Sequence, residues 1–68
     1  MKLYYTDEHK NKQLIAEGDD VMKICEAADA DARSKFIFLK NLQLKSMEPE
    51  RYVFMSADGG ETGYSIEE

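Results

Sequence analysis

The chain holds few side chains that could carry out covalent chemistry. It contains one cysteine, Cys25, and one histidine, His9. Cys25 falls on the apolar stripe of a predicted helix, whereas His9 falls in a polar segment predicted to be a loop. Nucleophilic catalysis requires a nucleophile held within hydrogen-bonding reach of a base. The sequence therefore predicts that the protein is not an enzyme and that Cys25 is an ordinary core thiol.

The acidic residues match no metal-binding or acid–base motif. Asp29 and Asp31 stand where a calcium-binding loop would begin, but Ser34 and Lys40 occupy positions that require a glycine and a bidentate glutamate. One cysteine and one histidine cannot supply the ligand cluster of a structural zinc site. The glycines near the carboxyl end lack the Lys-Ser or Lys-Thr that follows a phosphate-binding loop. We therefore expect neither a metal nor another cofactor.

Length and composition favour a single folded domain over residues 1–68. The chain has a mass of 7.8 kDa, with 43% apolar and 34% charged residues. This composition is typical of a globular domain, and the length is too small for two cores. The single cysteine excludes an intrachain disulfide and fits a reducing compartment. No apolar run is long enough for a signal core or a membrane-spanning helix, so we expect a cytoplasmic protein with no membrane partner.

The charge is distributed unevenly along the chain. Fourteen acidic residues against nine basic ones give a net charge of −5. The segment from Arg33 to Met47 nevertheless contains no acid and holds four basic residues: Arg33, Lys35, Lys40 and Lys45. The acidic excess is therefore concentrated in the rest of the chain, which is unfavourable for binding nucleic acid there.

The first half of the chain predicts two strands followed by one helix. Residues 2–6 alternate as a half-buried strand does, and residues 13–16 regain apolar character after a polar stretch, which indicates a hairpin. A short helix over residues 8–17 is the competing interpretation. Asp19 and Asp20 are suitable helix caps, and an amphipathic helix ending near Arg33 is predicted after them. Its apolar stripe consists of Val21, Ile24, Cys25, Ala28 and Ala32.

Residues 35–46 are rich in strand formers and allow two interpretations. One is a single long strand with a bend. The other is a hairpin that turns at Lys40-Asn41. Lys-Asn is a poor turn pair, so the single strand is favoured.

The carboxyl end predicts a tight hairpin. Pro49 separates the preceding strand from a new one that begins at Arg51. Asp58-Gly59-Gly60 supplies the positive φ angles of a two-residue loop, so residues 62–67 form the return strand. The loop is either Asp58-Gly59 or Gly59-Gly60, and both choices place the same residues of the two strands on the same face of the sheet. This pairing places Val53, Met55, Tyr64 and Ile66 on the core face and Tyr52 and Phe54 on the other.

Two surfaces are candidates for function under this pairing. Exposed aromatic residues on a sheet face commonly mark a contact surface, and Tyr4, Tyr52 and Phe54 are expected on faces that the helix does not cover. The alternative is a nucleic-acid-binding segment, because aromatic rings among cations can stack on bases while the cations meet phosphates. Its residues are Arg33, Lys35, Phe36, Phe38 and Lys40.

These observations predict an α+β domain in which an antiparallel sheet of four or five strands packs against one helix, in the order β-β-α-β-β-β. A core this small gains stability from association, so a homodimer is expected. The predicted function is that of a non-enzymatic interaction or regulatory module. It would bind a protein partner through the sheet aromatics or through an open strand edge.

Overall fold

The structure, a computed structural model that describes residues 1–68, confirms the predicted α+β fold. One helix packs on one face of a five-stranded antiparallel sheet. The α1 helix spans 14 residues and is too short to cross a membrane. The elements are β1 (Lys2–Thr6), β2 (Lys12–Glu17), α1 (Val21–Ser34), β3 (Leu39–Met47), β4 (Glu50–Ser56) and β5 (Glu61–Glu67).

The first two strands form the predicted hairpin, and the competing short helix is absent. Asp7 holds its loop, because one carboxylate oxygen accepts hydrogen bonds from the backbone N–H groups of His9 and Asn11, each at 2.9 Å. The hydrogen bond from Asn11 is the main reason that the pKa of Asp7 lies below its usual value. A polar loop is thus fixed by one aspartate, as Asx turns commonly are.

Helix α1 begins where its cap was predicted and buries three of the five residues of its predicted apolar stripe, whereas Val21 is exposed and Cys25 is half-buried. The Asp20 carboxylate accepts a hydrogen bond from the backbone N–H of Met22 at 3.0 Å. Ile24, Ala28 and Ala32 are buried against the sheet. Small residues at two of these three positions let the helix lie close to the strands.

The sheet order is β2-β1-β5-β4-β3, so the two edges are formed by β2 and β3. The segment over residues 35–46 contains a single strand, as favoured, but this strand starts at Leu39. Residues 35–38 form the connection from the helix, and this places Phe36 and Phe38 before the strand.

The predicted face assignment of the last hairpin is confirmed for Tyr64 and Ile66 of β5, which lie in the core, and is wrong for β4. Tyr52 pairs with Ile66, and Phe54 belongs to the core cluster beneath the helix, with 6% of its surface exposed. Val53 pairs with Ser65 on the opposite face. The residues of the core cluster are Leu3, Ile24, Ala28, Ala32, Phe54, Tyr64 and Ile66.

The length of the turn between β4 and β5 explains the error. Ser56 donates its backbone N–H to the Gly60 carbonyl at 2.8 Å, so the loop contains three residues, 57–59. Gly59 supplies the left-handed position with a φ of 88°. A three-residue loop shifts the pairing by one residue relative to a two-residue loop, and such a shift exchanges the two faces of a strand.

Candidate functional site

The large apolar side chains that remain exposed are concentrated on β3 and on the connection that leads into it. Of the seven such residues in the chain, four lie between positions 36 and 47, and Met22 faces the same region from α1. Phe36 is 87% exposed, and Phe38 and Met47 are each 71% exposed. Phe36 and Phe38 line a hollow beside the β4–β5 turn, and Met22 lines the neighbouring one with Leu42. Exposed apolar groups that cluster in one region mark an interaction surface more often than scattered ones do. We call Met22, Phe36, Phe38, Leu42, Leu44 and Met47 the β3 surface.

The outer edge of β3 is open. This nine-residue strand pairs with β4 on one side and with no strand on the other. Alternate residues of an edge strand direct unpaired N–H and C=O groups outward, where they can pair with another chain. Natural edge strands often carry lysines that discourage such pairing, and β3 contains Lys40 and Lys45. The edge therefore offers backbone groups that can pair with another strand, beside two lysines whose charge favours some strands over others.

An apolar groove runs beside this edge, between β3 and α1. Its volume is about 360 Å³, and its walls include Met22 and Cys25 of the helix and Leu39 and Leu42 of the strand. Phe54 lies at its base. Burial raises the pKa of the Cys25 thiol. A thiol held in its protonated form behaves as an apolar group, so Cys25 acts here as part of the wall.

Phe36 has an unfavourable backbone conformation that its own packing does not explain. Its φ is 59°, in the left-handed region that favours glycine. The backbone N–H groups of Phe36 and Ile37 donate to the carbonyls of Arg33 and Ala32 at 3.1 and 2.8 Å. This is the Schellman arrangement, in which the left-handed position is usually a glycine. The chain instead places there a large ring that is almost entirely in solvent.

The structure separates the three aromatic residues predicted to bind a partner. Tyr4 lies on the face away from the helix, where the ammonium of Lys12 stands 4.3 Å from its ring centre. Tyr52 is half-buried on the helix face and donates its hydroxyl hydrogen to Glu50. Phe54 is in the core. The expectation that Tyr52 and Phe54 form an exposed surface is therefore wrong.

The five residues of the predicted nucleic-acid segment fall into two groups in the structure. Phe36, Phe38 and Lys40 are together at the start of β3, and both rings are exposed. Arg33 pairs with Asp29 at 3.5 Å, and Lys35 pairs with Asp31 at 2.6 Å. Both cations are thus matched by acids one helical turn earlier. The hydrogen bond that Lys35 donates to the Asp31 carboxylate is the main cause of the raised pKa of Lys35.

The sheet face away from the helix carries a network of ion pairs. Glu67 contacts Lys12 at 2.7 Å and Arg51 at 3.8 Å, and Lys45 reaches across β4 to Glu61 at 3.4 Å. The hydrogen bond from Lys12 is the main reason that the pKa of Glu67 is lowered. These long side chains account for the burial of the central residues of this face, which has no second layer.

A polar cleft of about 420 Å³ opens at the end of this face. Its charged lining residues are Arg51 and three acids, Asp7, Glu8 and Glu61. The lining contains neither a cysteine nor a histidine, and no three potential metal ligands of the chain come together. The β3 surface is therefore the stronger candidate for a site, because there geometry, exposure and backbone strain coincide.

Sequence reasoning missed Leu44, Met47 and Met22 as members of the site. Their exposure depends on where the helix lies over the sheet, and the pattern of apolar residues in the sequence does not determine that position. Two signals did point to the region: the absence of acids from Arg33 to Met47, and the closely spaced phenylalanines at 36 and 38.

Comparison of the chain with protein-family models, with curated proteins and with solved structures finds no match.

Proposed function

We propose that this chain is a protein-interaction module that binds an extended segment of another protein along the free edge of β3. The observation that carries the proposal is the open, nine-residue edge of β3 with an apolar groove beside it. A bound strand would pair with the outward backbone groups of β3 and place alternate side chains against the groove. This is the recognition mode known as β-augmentation.

The conformation of Phe36 supports the proposal. A bulky residue in the left-handed region costs roughly 1–2 kcal/mol, and the exposed ring of Phe36 recovers little of this by packing. Strain of this kind is concentrated at functional sites. A contact between a partner and the Phe36 ring gives a reason for a phenylalanine at a position where glycine would be more stable.

A second copy of the chain is the competing occupant of the same edge, and it corresponds to the homodimer expected from the small core. Antiparallel pairing centred on Gln43 would set Leu42 of one copy opposite Leu44 of the other. It would also bring the lysines of both β3 strands onto one interface between two acidic chains, which opposes association. Light scattering at micromolar concentration distinguishes the two, because self-pairing gives twice 7.8 kDa.

Nucleic-acid binding is the second candidate function, and one observation favours it. Phe36 and Phe38 present exposed rings beside Lys40, as a stacking surface for unpaired bases would. Arg33 and Lys35, however, are already paired with acids of α1. The segment therefore retains little free positive charge against a chain of net charge −5. A titration with single-stranded oligonucleotide at low salt tests this candidate.

The test of the proposed function is a selection with a displayed library of random peptides, followed by two matched variants. Leu44, 43% exposed on β3, and Leu14, 50% exposed on the opposite edge strand β2, are replaced separately by glutamine. Peptides enriched on the wild-type chain should lose at least about tenfold in affinity for Leu44→Gln, the scale of one or two lost apolar contacts. They should bind Leu14→Gln as they bind the wild type. Equal loss in both variants, or loss in Leu14→Gln alone, would place recognition elsewhere.

A further inference from the structure

The edge of β3 is a positively charged strip on an acidic protein. The only charged residues of β3 are Lys40 and Lys45, and no acid occurs from Arg33 to Met47. The other edge strand, β2, carries Glu17 as well as Lys12, and Lys2 on the neighbouring β1 approaches Glu17 to 3.8 Å. The two edges therefore differ in charge as well as in exposed apolar surface.

The two faces of the β3 edge present different chemistry to a strand that pairs with it. On the helix side lies the groove, whose apolar lining includes Leu42 and whose charged lining residues are Glu26, Asp29 and Lys40, so this side is unfavourable for acidic residues of a partner. On the opposite side lie Gln43, which pairs with Val53, and Lys45, whose ammonium reaches Glu61. Successive side chains of a bound strand would point to these two sides in turn. One set would meet apolar groups, and the other would meet amide and ammonium groups.

We infer that the segment which pairs with β3 alternates apolar and acidic residues, with the apolar set in the groove and the acidic set beside Lys45. This inference rests on the proposed function and specifies its partner. Its basis is charge complementarity at the one edge strand whose charged residues, Lys40 and Lys45, are all cations. A few carboxylates on a short segment are also repelled far less by the acidic body of the protein than a polyphosphate would be.

In the free protein the Lys45 ammonium is directed inward, across β4 to Glu61 of β5, so it must turn outward to meet a carboxylate on a strand bound at the edge of β3. The two side chains are 35% and 58% exposed, and their atoms are 3.4 Å apart. Exposed pairs of this kind hold their partners weakly. The Lys45 side chain can therefore leave Glu61 and turn toward a carboxylate at the outer edge without leaving a buried charge unpaired.

The test uses three synthetic peptides as long as β3 and the full chain labelled for NMR. The first alternates valine or isoleucine with glutamate, the second has lysine in place of each glutamate, and the third has the composition of the first with its apolar residues grouped together. We expect the first peptide to bind at least about tenfold more tightly than either of the others at low salt. The shifted amide signals should lie in β3 and in the groove side of α1. The preference should decrease as salt is added.

Charge reversal supplies the matched control. The double variant Lys40→Glu and Lys45→Glu should prefer the lysine peptide, whereas Lys10→Glu, in the loop beside the opposite edge, should retain the wild-type preference. Equal binding of the glutamate and lysine peptides at β3 would overturn the inference and leave the proposed function intact. Absence of any shift at β3 would overturn both. A mass of twice 7.8 kDa that Leu44→Gln converts to a monomer would instead assign the edge to a second copy.

Discussion

The hydroxyl of Tyr64 in β5 donates its hydrogen to the carboxylate of Asp31 in α1, and the same carboxylate oxygen lies 2.6 Å from the ammonium of Lys35. The Lys35 ammonium also stands 4.7 Å from the ring centre of Tyr5. This cluster connects the carboxyl-terminal half of the helix to the middle of the sheet. The hydrogen bond from Lys35, together with that from Tyr64, lowers the pKa of Asp31.

Replacement of Asp31 by alanine should destabilise the fold by about 1–3 kcal/mol, because the Tyr64 hydroxyl would lose its acceptor within the packed interior. Asp31→Asn keeps an acceptor oxygen and should cost less. Urea unfolding followed by circular dichroism measures both. Asp29→Ala is the control, since its partner Arg33 is exposed and the pair is weak. A loss in Asp29→Ala equal to that in Asp31→Ala would show that the buried hydrogen bond is not responsible.

Stability should decline at alkaline pH between about 10 and about 12. Burial, with the hydrogen bond to Asp31, raises the pKa of Tyr64 from 10.0 to about 12. The native state therefore keeps this proton at pH values where the unfolded chain has lost it. The contribution is complete below pH 10 and falls as pH rises, by up to about 1.4 kcal/mol per pH unit for one proton. Unfolding measured from pH 8 to 12 should show the decline, and Tyr64→Phe should reduce its slope.

Gly63→Ala should destabilise the fold by roughly 2 kcal/mol or more, through strain and a close backbone approach. The φ of Gly63 is 92°, and a Cβ there would stand 2.5 Å from the carbonyl oxygen of Thr6. The matched control is Gly18→Ala, where a Cβ meets nothing within 4 Å. Thermal unfolding of both variants gives the comparison. Similar melting temperatures for the two would contradict the close packing of β1 on β5.

Phe36→Gly should stabilise the isolated protein by roughly 0.5–1 kcal/mol, because glycine relieves the left-handed strain at little packing cost. The same variant should weaken the binding of peptides selected on the wild type, since it removes an exposed ring of the β3 surface. Unfolding and binding are measured on the same preparation. A variant that is less stable than the wild type would show that the ring packs on the fold after all.

The side of β4 that faces the core, which differs from the predicted one, can be tested by two substitutions. Phe54→Ala should cost about 3–5 kcal/mol, as buried phenylalanines generally do. Met55→Ala should cost less, because Met55 is only half-buried and pairs with Glu61 on the opposite face. With the two-residue loop predicted from Asp58-Gly59-Gly60, Met55→Ala would instead cost more stability than Phe54→Ala. Denaturant unfolding of the two variants therefore distinguishes the two registers.

The element order was predictable because local signals agree with the fold. The alternation of β1, the cap at Asp20 and the apolar stripe of α1 each describe the segment in which they occur. The faces of β4 were not predictable, since they depend on whether the turn holds two residues or three. Asp-Gly-Gly is compatible with both, and a loop longer by one residue exchanges Phe54 and Val53 between the two faces of the sheet.

The candidate site was only partly predictable, for a related reason. The excess of cations from Arg33 to Lys45 is visible in the sequence, but the pairing of Arg33 and Lys35 with acids appears only once the helix is formed. Likewise, the exposure of Leu44 depends on α1 lying over the β2 and β1 side of the sheet.

The left-handed turn at Phe36 joins the last turn of α1 to the start of the β3 edge through the N–H groups of Phe36 and Ile37. A partner that contacts the Phe36 ring would therefore also stabilise the last turn of α1. Occupancy of the edge would be communicated to α1 as slower hydrogen exchange at these two amides. Hydrogen exchange at this turn therefore detects binding at the edge of β3 without any label on the ligand.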